Sequence, residues 1–121
     1  MHEMSIANSI LEAVRKEAAT RGGVRVSKVG VRVGELAAVD PEALRFCFEA
    51  MVQGSDLEPL ALEIEHCPRR HQCRKCGCTF AAEMEGLPCP ECGGVDSFVA
   101  GGDELDIPYM EVENGAGTAG T

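Results

Sequence analysis

Four cysteines arranged as two Cys-x-x-Cys pairs are the residues of this chain best suited to chemistry. Cys73 and Cys76 form the first pair, Cys89 and Cys92 form the second, and twelve residues separate the pairs. A glycine follows each pair, and glycine tolerates the positive φ that a metal-binding turn requires. Four thiolates match a closed, tetrahedral structural zinc site that leaves no position open for catalysis. The pattern predicts a zinc ribbon, with two redox dithiols or reduced cysteines without a metal as the alternative interpretation.

Three further cysteines bring the total to seven. The number is odd and the start of the chain lacks a secretory signal pattern, so we expect no disulfide framework and a cytoplasmic location. Cys47 fits a buried apolar position on a helix. Cys67 fits a hinge, and Cys78 follows the first pair closely enough to compete with Cys76 as a ligand.

Three histidines are present, and none of them belongs to a catalytic motif. His66 and His71 flank the cysteine-rich segment, and we expect both to be polar surface or hinge residues, with metal ligation as the alternative; either could still tune the zinc site by contacting its ligands. No histidine stands in a His-x-Glu or His-Glu-x-x-His pattern, and the chain has neither a Gly-x-Ser-x-Gly elbow nor a phosphate loop. We therefore expect a protein that is not an enzyme.

The amino terminus, Met1-His2-Glu3, is a second candidate metal site. A bulky second residue normally protects the initiator methionine from removal, so His2 is expected to stay second. The α-amine, the His2 imidazole and nearby backbone amides can converge on one ion, and amides and amines in a plane suit Ni(II) or Cu(II). Glu3 adds a carboxylate. A frayed terminus with a chance histidine is the alternative interpretation.

The overall charge and hydropathy exclude two classes of partner. Eleven Lys and Arg stand against 20 Asp and Glu, which gives a net charge of −9. Phosphate contacts need clustered basic residues, and the cysteine-rich segment offers only Phe80 and Phe98 for base stacking, so we expect no nucleic acid. No apolar run approaches the ~20 residues that span a bilayer, so we expect no membrane.

Hydrophobic periodicity predicts two helices. Apolar residues recur at helical spacing over about residues 4–21, and Gly22-Gly23 ends that pattern. Asp40-Pro41 is typical of a second helix start, with Asp as N-cap and Pro in the first position. An apolar face follows, and Gly54 ends this helix.

Three strands are predicted around the helices. They run from Val24 to Val33, around Leu60–Ile64 and around Leu105–Tyr109, where Pro108 indicates an edge position or a bulge. The predicted fold is α+β, because a three-stranded sheet with two helices on one face is the economical packing. The zinc-ribbon module is then an insertion before the final strand.

The chain resembles the HypA/HybF family of hydrogenase maturation nickel metallochaperones over residues 1 to about 113. The resemblance is carried by Met-His-Glu-Met-Ser at the amino terminus, by the segments 31–36, 39–49 and 62–65, by both cysteine pairs, and by Gly102–Ile107 with Glu111–Glu113. The combination of this amino terminus with a downstream four-cysteine ribbon is specific to the family, whereas neither half alone would be.

The resemblance implies nickel delivery. His2 corresponds to the essential nickel ligand, Glu3 takes part in nickel binding or its surroundings, and the four paired cysteines bind structural Zn(II), while Ni(II) is a transient cargo. The recipient is the precursor of the [NiFe]-hydrogenase large subunit, the partner is the GTPase HypB, and urease maturation proteins are further candidate partners. Many members carry a histidine near a cysteine pair; glycine and cysteine stand there in this chain, so a pH-sensing histidine is in doubt.

Composition and resemblance together divide the chain into three parts. We expect an α/β nickel-binding domain of residues 1–65 and 103–113, a zinc-ribbon domain of residues 66–102, and a disordered tail of residues 114–121. The chain is expected to be a monomer or a weak homodimer. The alternative function is a zinc-ribbon protein-interaction adaptor without nickel delivery.

Overall fold

The computed structural model describes residues 2–113 of the 121-residue chain. The predicted tail, residues 114–121, lies outside the described residues. Two α-helices and six strands are present in the described part, with one short 3₁₀ helix at Glu35–Ala37. The elements in chain order are α1 (His2–Thr20), β1 (Arg25–Gly34), α2 (Pro41–Val52), β2 (Ala61–Cys67), β3 (Arg70–Cys73), β4 (Thr79–Ala81), β5 (Ser97–Gly101) and β6 (Leu105–Glu113).

These elements form two compact units. Among the described residues, the first unit contains the chain up to Val31, the segment Val39–Glu65 and the chain from Asp106 onward. The second unit contains Arg32–Ala38 and His66–Leu105. Both helices and most of β1, β2 and β6 belong to the first unit, and the four paired cysteines belong to the second.

The two helices of the first unit pack against each other. Asp40 caps α2 by accepting hydrogen bonds at Oδ1 from the backbone N–H groups of Glu42 (3.0 Å) and Ala43 (3.3 Å), and Pro41 occupies the first helical position. The buried residues recur every three or four positions because that spacing keeps side chains on one face of a helix. They are Ala7, Ile10, Leu11 and Val14 in α1 and Leu44, Phe48 and Val52 in α2.

The first sheet has the strand order β2-β1-β6, so β1 is the central strand. Val26 and Val29 of β1 are buried. Leu60, just before β2, and Leu62, within β2, are buried too. β6 lies at an edge, as Pro108 predicted, because a residue without an N–H is tolerated there. The predicted strands and both predicted helices are confirmed, with shifts of a few residues at their ends.

The second unit contains a further sheet with the order β4-β3-β5, in which all neighbours are antiparallel. β3 has four residues, β4 has three and β5 has five. Strands this short contain too few alternating polar and apolar residues to be predicted from the sequence. Two helices, two small sheets and an inserted four-cysteine module confirm the predicted α+β class. Among the described residues, every helix is too short or too polar to cross a membrane.

Candidate metal centres

The four paired cysteines form one cluster in the second unit. The Sγ atoms of Cys73, Cys76, Cys89 and Cys92 all lie within 4.8 Å of one another. The Cys73–Cys92 separation is 3.5 Å and the Cys76–Cys89 separation is 3.6 Å. A disulfide would bring two sulfurs to about 2.05 Å, whereas four Zn–S bonds of about 2.3 Å set the sulfurs of a tetrahedron about 3.8 Å apart. The cluster therefore fits a metal such as zinc.

Each cysteine pair sits on the same kind of tight turn. Gly77 donates its N–H to the carbonyl of Cys73 (3.0 Å), and Gly93 donates to the carbonyl of Cys89 (2.8 Å). Both glycines have a positive φ, +81° and +78°, which strains any residue with a Cβ. The glycine after each pair is thus the residue that lets two thiols of one turn point to the same place.

Backbone N–H groups of these turns are aimed at the sulfurs. Lys75 donates to Cys73, Glu91 to Cys89 and Gly94 to Cys92, each at 3.4 Å. Hydrogen bonds of this kind favour the thiolate, which is the form that binds metal. Backbone N–H groups of this kind contribute to the lowered pKa of Cys73 and of Cys89.

Two thiols of the first pair differ sharply in acidity. The backbone N–H groups of Cys76 and Lys75 outweigh burial and lower the pKa of Cys73 to about 6. The N–H of Cys78 favours the Cys76 thiolate, but desolvation and the neighbouring thiols, Cys89 first, raise the pKa of Cys76 to about 12. Ionisation of one thiol therefore opposes ionisation of its neighbours. A bound divalent cation offsets this repulsion, because it stabilises every thiolate that binds it.

The other cysteines lie outside this cluster. Cys67 is buried at the end of β2. Cys47 is half-buried, so the expectation of a fully buried position was wrong: it sits on α2 one residue before Phe48, which takes the buried place. Cys78 is half-buried beside the first pair.

His66 and His71 have opposite environments. His66 is exposed, as expected. The expectation of a surface or hinge role for His71 was wrong, because its exposed fraction is 0%. Side chains alternate along a strand, so His71 of β3 projects to the same side as Cys73, which is also buried.

Two hydrogen bonds hold the buried His71 ring. Arg69 donates from Nε to His71 Nε2 at 2.9 Å, and His71 Nδ1 lies 2.9 Å from Ser97 Oγ on β5. An arginine Nε–H can only donate, so Nε2 accepts, and the neutral ring carries its proton on Nδ1. The ring thereby ties β3 to β5.

The second predicted site is at the start of α1. The helix begins at His2, and the first four N–H groups of any α-helix have no acceptor within that helix. Glu3 is half-buried, and its Oε2 accepts a hydrogen bond from the backbone N–H of Asp40 at 3.0 Å. No local sequence signal predicts this contact, since the two residues are 37 positions apart.

Comparison with known proteins identifies the family. The family model described as "Hydrogenase/urease nickel incorporation, metallochaperone, hypA" matches residues 1–112. This chain belongs to the HypA family. The hydrogenase maturation factor HypA of Azotobacter chroococcum mcd 1 is 43% identical over 113 residues, which is 93% of this chain and 100% of that protein. The HypA of Geobacter metallireducens is 42% identical over the same shares of both chains.

Solved HypA structures share the fold. A solution structure of a HypA protein aligns with a TM-score of 0.69 at 22% identity, covering 93% of this chain and 96% of the other. The solution structure of the Ni metallochaperone HypA from Helicobacter pylori aligns with a TM-score of 0.61 at 21% identity, covering 91% and 96%. The predicted family is confirmed. The assignment of individual residues of this HypA chain to nickel or zinc stays a prediction.

Proposed function

We propose that this protein binds Ni(II) at its amino terminus through His2 and Glu3 and delivers it to the precursor of the [NiFe]-hydrogenase large subunit. The match to the HypA family model carries the proposal, because it runs from residue 1 through both cysteine pairs. The GTPase HypB is the proposed partner in delivery. The family description also includes urease, so urease maturation proteins are proposed as further partners. The protein acts by handing over an ion and catalyses no reaction.

The geometry of the first turn of α1 supports a terminal nickel site. Backbone amides at a helix start have no intrahelical acceptor, so their nitrogens can serve as deprotonated ligands beside the α-amine and the His2 imidazole. The hydrogen bond from Asp40 holds the Glu3 carboxylate at the same turn. A site built mostly from a chain end exchanges its ligands easily, which suits an ion that must be released.

We further propose that Cys73, Cys76, Cys89 and Cys92 hold a structural Zn(II). Four thiolates complete a tetrahedral shell, so this site has no open position for transfer and serves stability instead. The two sites therefore have separate tasks. A thiolate site needs reduced cysteines, which supports the cytoplasm as the place of action.

Nickel titration tests the terminal site. Untagged, zinc-loaded protein that starts at Met1 is compared with His2→Ala, and absorption reports planar Ni(II). We expect stoichiometric binding by the starting protein and its loss in His2→Ala, with zinc retained in both. His66→Ala is the matched control, because it removes an exposed histidine elsewhere in the chain and should leave nickel binding unchanged. Equal binding by all three proteins would remove the terminal site from the proposal.

A transfer assay tests delivery. Nickel-loaded protein is mixed with the large-subunit precursor and GTP-bound HypB, and nickel in the re-isolated precursor is measured. We expect transfer from the starting protein and from His66→Ala, and none above background from His2→Ala. Complex formation with the precursor that brings no nickel with it would instead support the adaptor function.

A further inference from the structure

Two arginines near the first cysteine pair bind the chain on either side of the second pair. Arg69 lies four residues before the first pair, and Arg74 lies inside it. The Arg69 guanidinium pairs with the carboxylate of Glu85 at 3.0 Å, and that of Arg74 pairs with Asp96 at 3.2 Å. Glu85 is four residues before the second pair, and Asp96 is four residues after it. The second cysteine pair is therefore tied to the first at both of its ends.

The Arg69 contact has a buried anchor. Only 15% of the Arg69 side chain is exposed, and its Nε donates a hydrogen bond to the ring of the buried His71. Its terminal nitrogens reach the carbonyl oxygen of Glu83 at 3.5 Å and the carboxylate of Glu85. A planar guanidinium that is already fixed at one end loses little further freedom when it binds a carboxylate. Arg69 therefore holds the segment that leads into the second cysteine pair.

The Arg74 contact is exposed but has three parts. Besides the ion pair, the backbone N–H of Arg74 donates to the carbonyl of Asp96 at 2.9 Å, and the guanidinium lies 4.8 Å from the centre of the Phe98 ring. An exposed ion pair alone contributes little stability. The backbone hydrogen bond and the cation–π contact fix the place where the two residues meet. Arg74 therefore holds the segment that leaves the second cysteine pair.

The four sulfurs can become coplanar only if one cysteine turn rotates against the other. Within each turn, the hydrogen bond from the following glycine fixes the geometry of the pair. Between the turns, the Cys73–Cys92 and Cys76–Cys89 sulfur distances are 3.5 Å and 3.6 Å. A square with sides of this length has diagonals longer than 4.8 Å, so the four sulfurs do not form a square. Ni(II) favours a planar shell, whereas Zn(II) takes a tetrahedral one.

We propose that the Arg69–Glu85 and Arg74–Asp96 ion pairs determine the metal specificity of the four-cysteine site, because they oppose the rotation that a planar nickel shell requires. These four are positioning residues, which act on the metal through the two cysteine turns. Selectivity among divalent ions depends on geometry more than on raw affinity. A thiolate site without such restraint would retain nickel that has to be delivered. The inference rests on the proposal that this cluster holds zinc in a chain that carries nickel.

Nickel titration in a His2→Ala background tests the specificity, because this substitution removes the proposed terminal site. Zinc in the isolated His2→Ala protein is measured first, and a chain without zinc would show that the zinc site itself has failed. Zinc is then removed with a chelator under reducing conditions. The protein is compared with the variant Glu85→Ala/Asp96→Ala, which lacks both ion pairs. The matched control is Glu83→Ala/Glu91→Ala, whose lost carboxylates pair with no arginine in the described part of the chain.

The magnetic state of bound nickel is the readout, since planar Ni(II) is diamagnetic and tetrahedral Ni(II) is paramagnetic. We expect paramagnetic nickel, readily displaced by zinc, in the His2→Ala protein and in the control. Without the two ion pairs, we expect diamagnetic nickel and a nickel-to-zinc affinity ratio higher by about tenfold. Zinc binding should stay stoichiometric in all three proteins. Loss of zinc in the variant would show that the pairs support the fold alone and would overturn the proposal, as would the same ratio in all three.

Arg74→Ala separates the ion pair from a direct effect of charge near the sulfurs. If the pair acts as proposed, Asp96→Ala raises the nickel-to-zinc ratio when Arg74 is present and changes it no further in the Arg74→Ala background. The same competition between nickel and zinc measures the ratio in all four combinations. Equal effects of Asp96→Ala in both backgrounds would overturn the role of this ion pair.

Discussion

The Glu3 carboxylate accepts a hydrogen bond from the backbone N–H of Asp40 at 3.0 Å, while the Asp40 carboxylate caps α2. One residue therefore connects the first turn of α1, where the proposed nickel ligands lie, to the first turn of α2. Because α2 also packs its apolar face into the core, the terminal site is attached to the stable part of the first unit.

Asp40→Ala should destabilise the first unit by about 1 kcal/mol, because it removes the N-cap of α2 and leaves two amide groups without an acceptor. Asp40→Asn is the matched control, since asparagine caps a helix about as well as aspartate. Urea unfolding of the metal-loaded proteins, followed by helical circular dichroism, measures the difference. Unfolding midpoints that coincide for Asp40→Ala and the starting protein would contradict the role of the cap.

Glu3→Gln and Glu3→Ala separate the charge of Glu3 from its hydrogen bond. Glutamine keeps an oxygen acceptor for the Asp40 N–H, so we expect near-normal stability but weaker nickel binding. Alanine removes both, so we expect the same loss of nickel affinity together with about 1 kcal/mol lower stability. Competition with a coloured chelator and thermal unfolding measure the two effects. Nickel affinity in Glu3→Gln equal to that of the starting protein would exclude the Glu3 charge from the site.

His71→Ala should destabilise the second unit by about 3 kcal/mol, because it opens a cavity and leaves Arg69 and Ser97 without their buried partner. Since β3 also carries Cys73, we expect zinc to be lost faster to a chelator. His66→Ala is the control, as its side chain is exposed. The rate of zinc release and the unfolding midpoint are measured for both variants. Identical zinc-release rates would show that the His71 ring does not support the cluster.

Glu104 gives the second unit a predictable dependence on pH. The N–H groups of Glu104 itself and Gly102, then Arg70, lower the pKa of Glu104 from its ordinary value of 4.5. A carboxylate with a depressed pKa stabilises the fold above its ordinary pKa, and this contribution is lost as pH falls through the folded-state value.

The comparison of Glu104→Gln with the starting protein tests this dependence. We expect the starting protein to have the higher melting temperature at neutral pH and the gap to close below pH 4.5. Loss of metal at acid pH affects both proteins and cancels in the difference. A gap that is constant from neutral to acid pH would contradict the electrostatic origin.

Local signals in the sequence predicted most of the first unit. Asp40-Pro41 marked the start of α2 to the residue, because capping and the fixed φ of proline act within one turn. Pro108 predicted an edge position or a bulge for β6, which is an edge strand, because the missing N–H is a property of the residue itself. The two Cys-x-x-Cys pairs were visible for the same reason: each is one turn of chain.

Features that depend on residues distant in sequence could not be predicted. The burial of His71 depends on β5 and on Ser97, which is 26 residues away. The contact of Glu3 with Asp40 and the pairing of β3 with β5 likewise appear only when the chain has folded back on itself. The metal cluster combines both cases. Each Cys-x-x-Cys turn is a local feature that the sequence predicts, whereas the approach of the two turns to each other depends on the fold.

In the first sheet, an aromatic ring lies over a glycine, where the strand has no side chain. Tyr109 of the edge strand β6 lies over Gly30 of the central strand β1, and its hydroxyl donates a hydrogen bond to the Glu63 carboxylate on β2. A Cβ at Gly30 would overlap the Tyr109 ring. Gly30→Ala must therefore push the ring aside and break its contact with Glu63.

We expect Gly30→Ala to cost about 1–3 kcal/mol of stability, as overpacking does, and to cost much less when Tyr109→Ala is also present. The chain has one tyrosine and no tryptophan, so its fluorescence reports Tyr109 alone. A carboxylate acceptor quenches tyrosine emission, so Gly30→Ala and Glu63→Ala should both brighten it, while Glu65→Ala should not. Additive costs in the double variant, with emission unchanged in Gly30→Ala, would show that the ring does not need the space above Gly30.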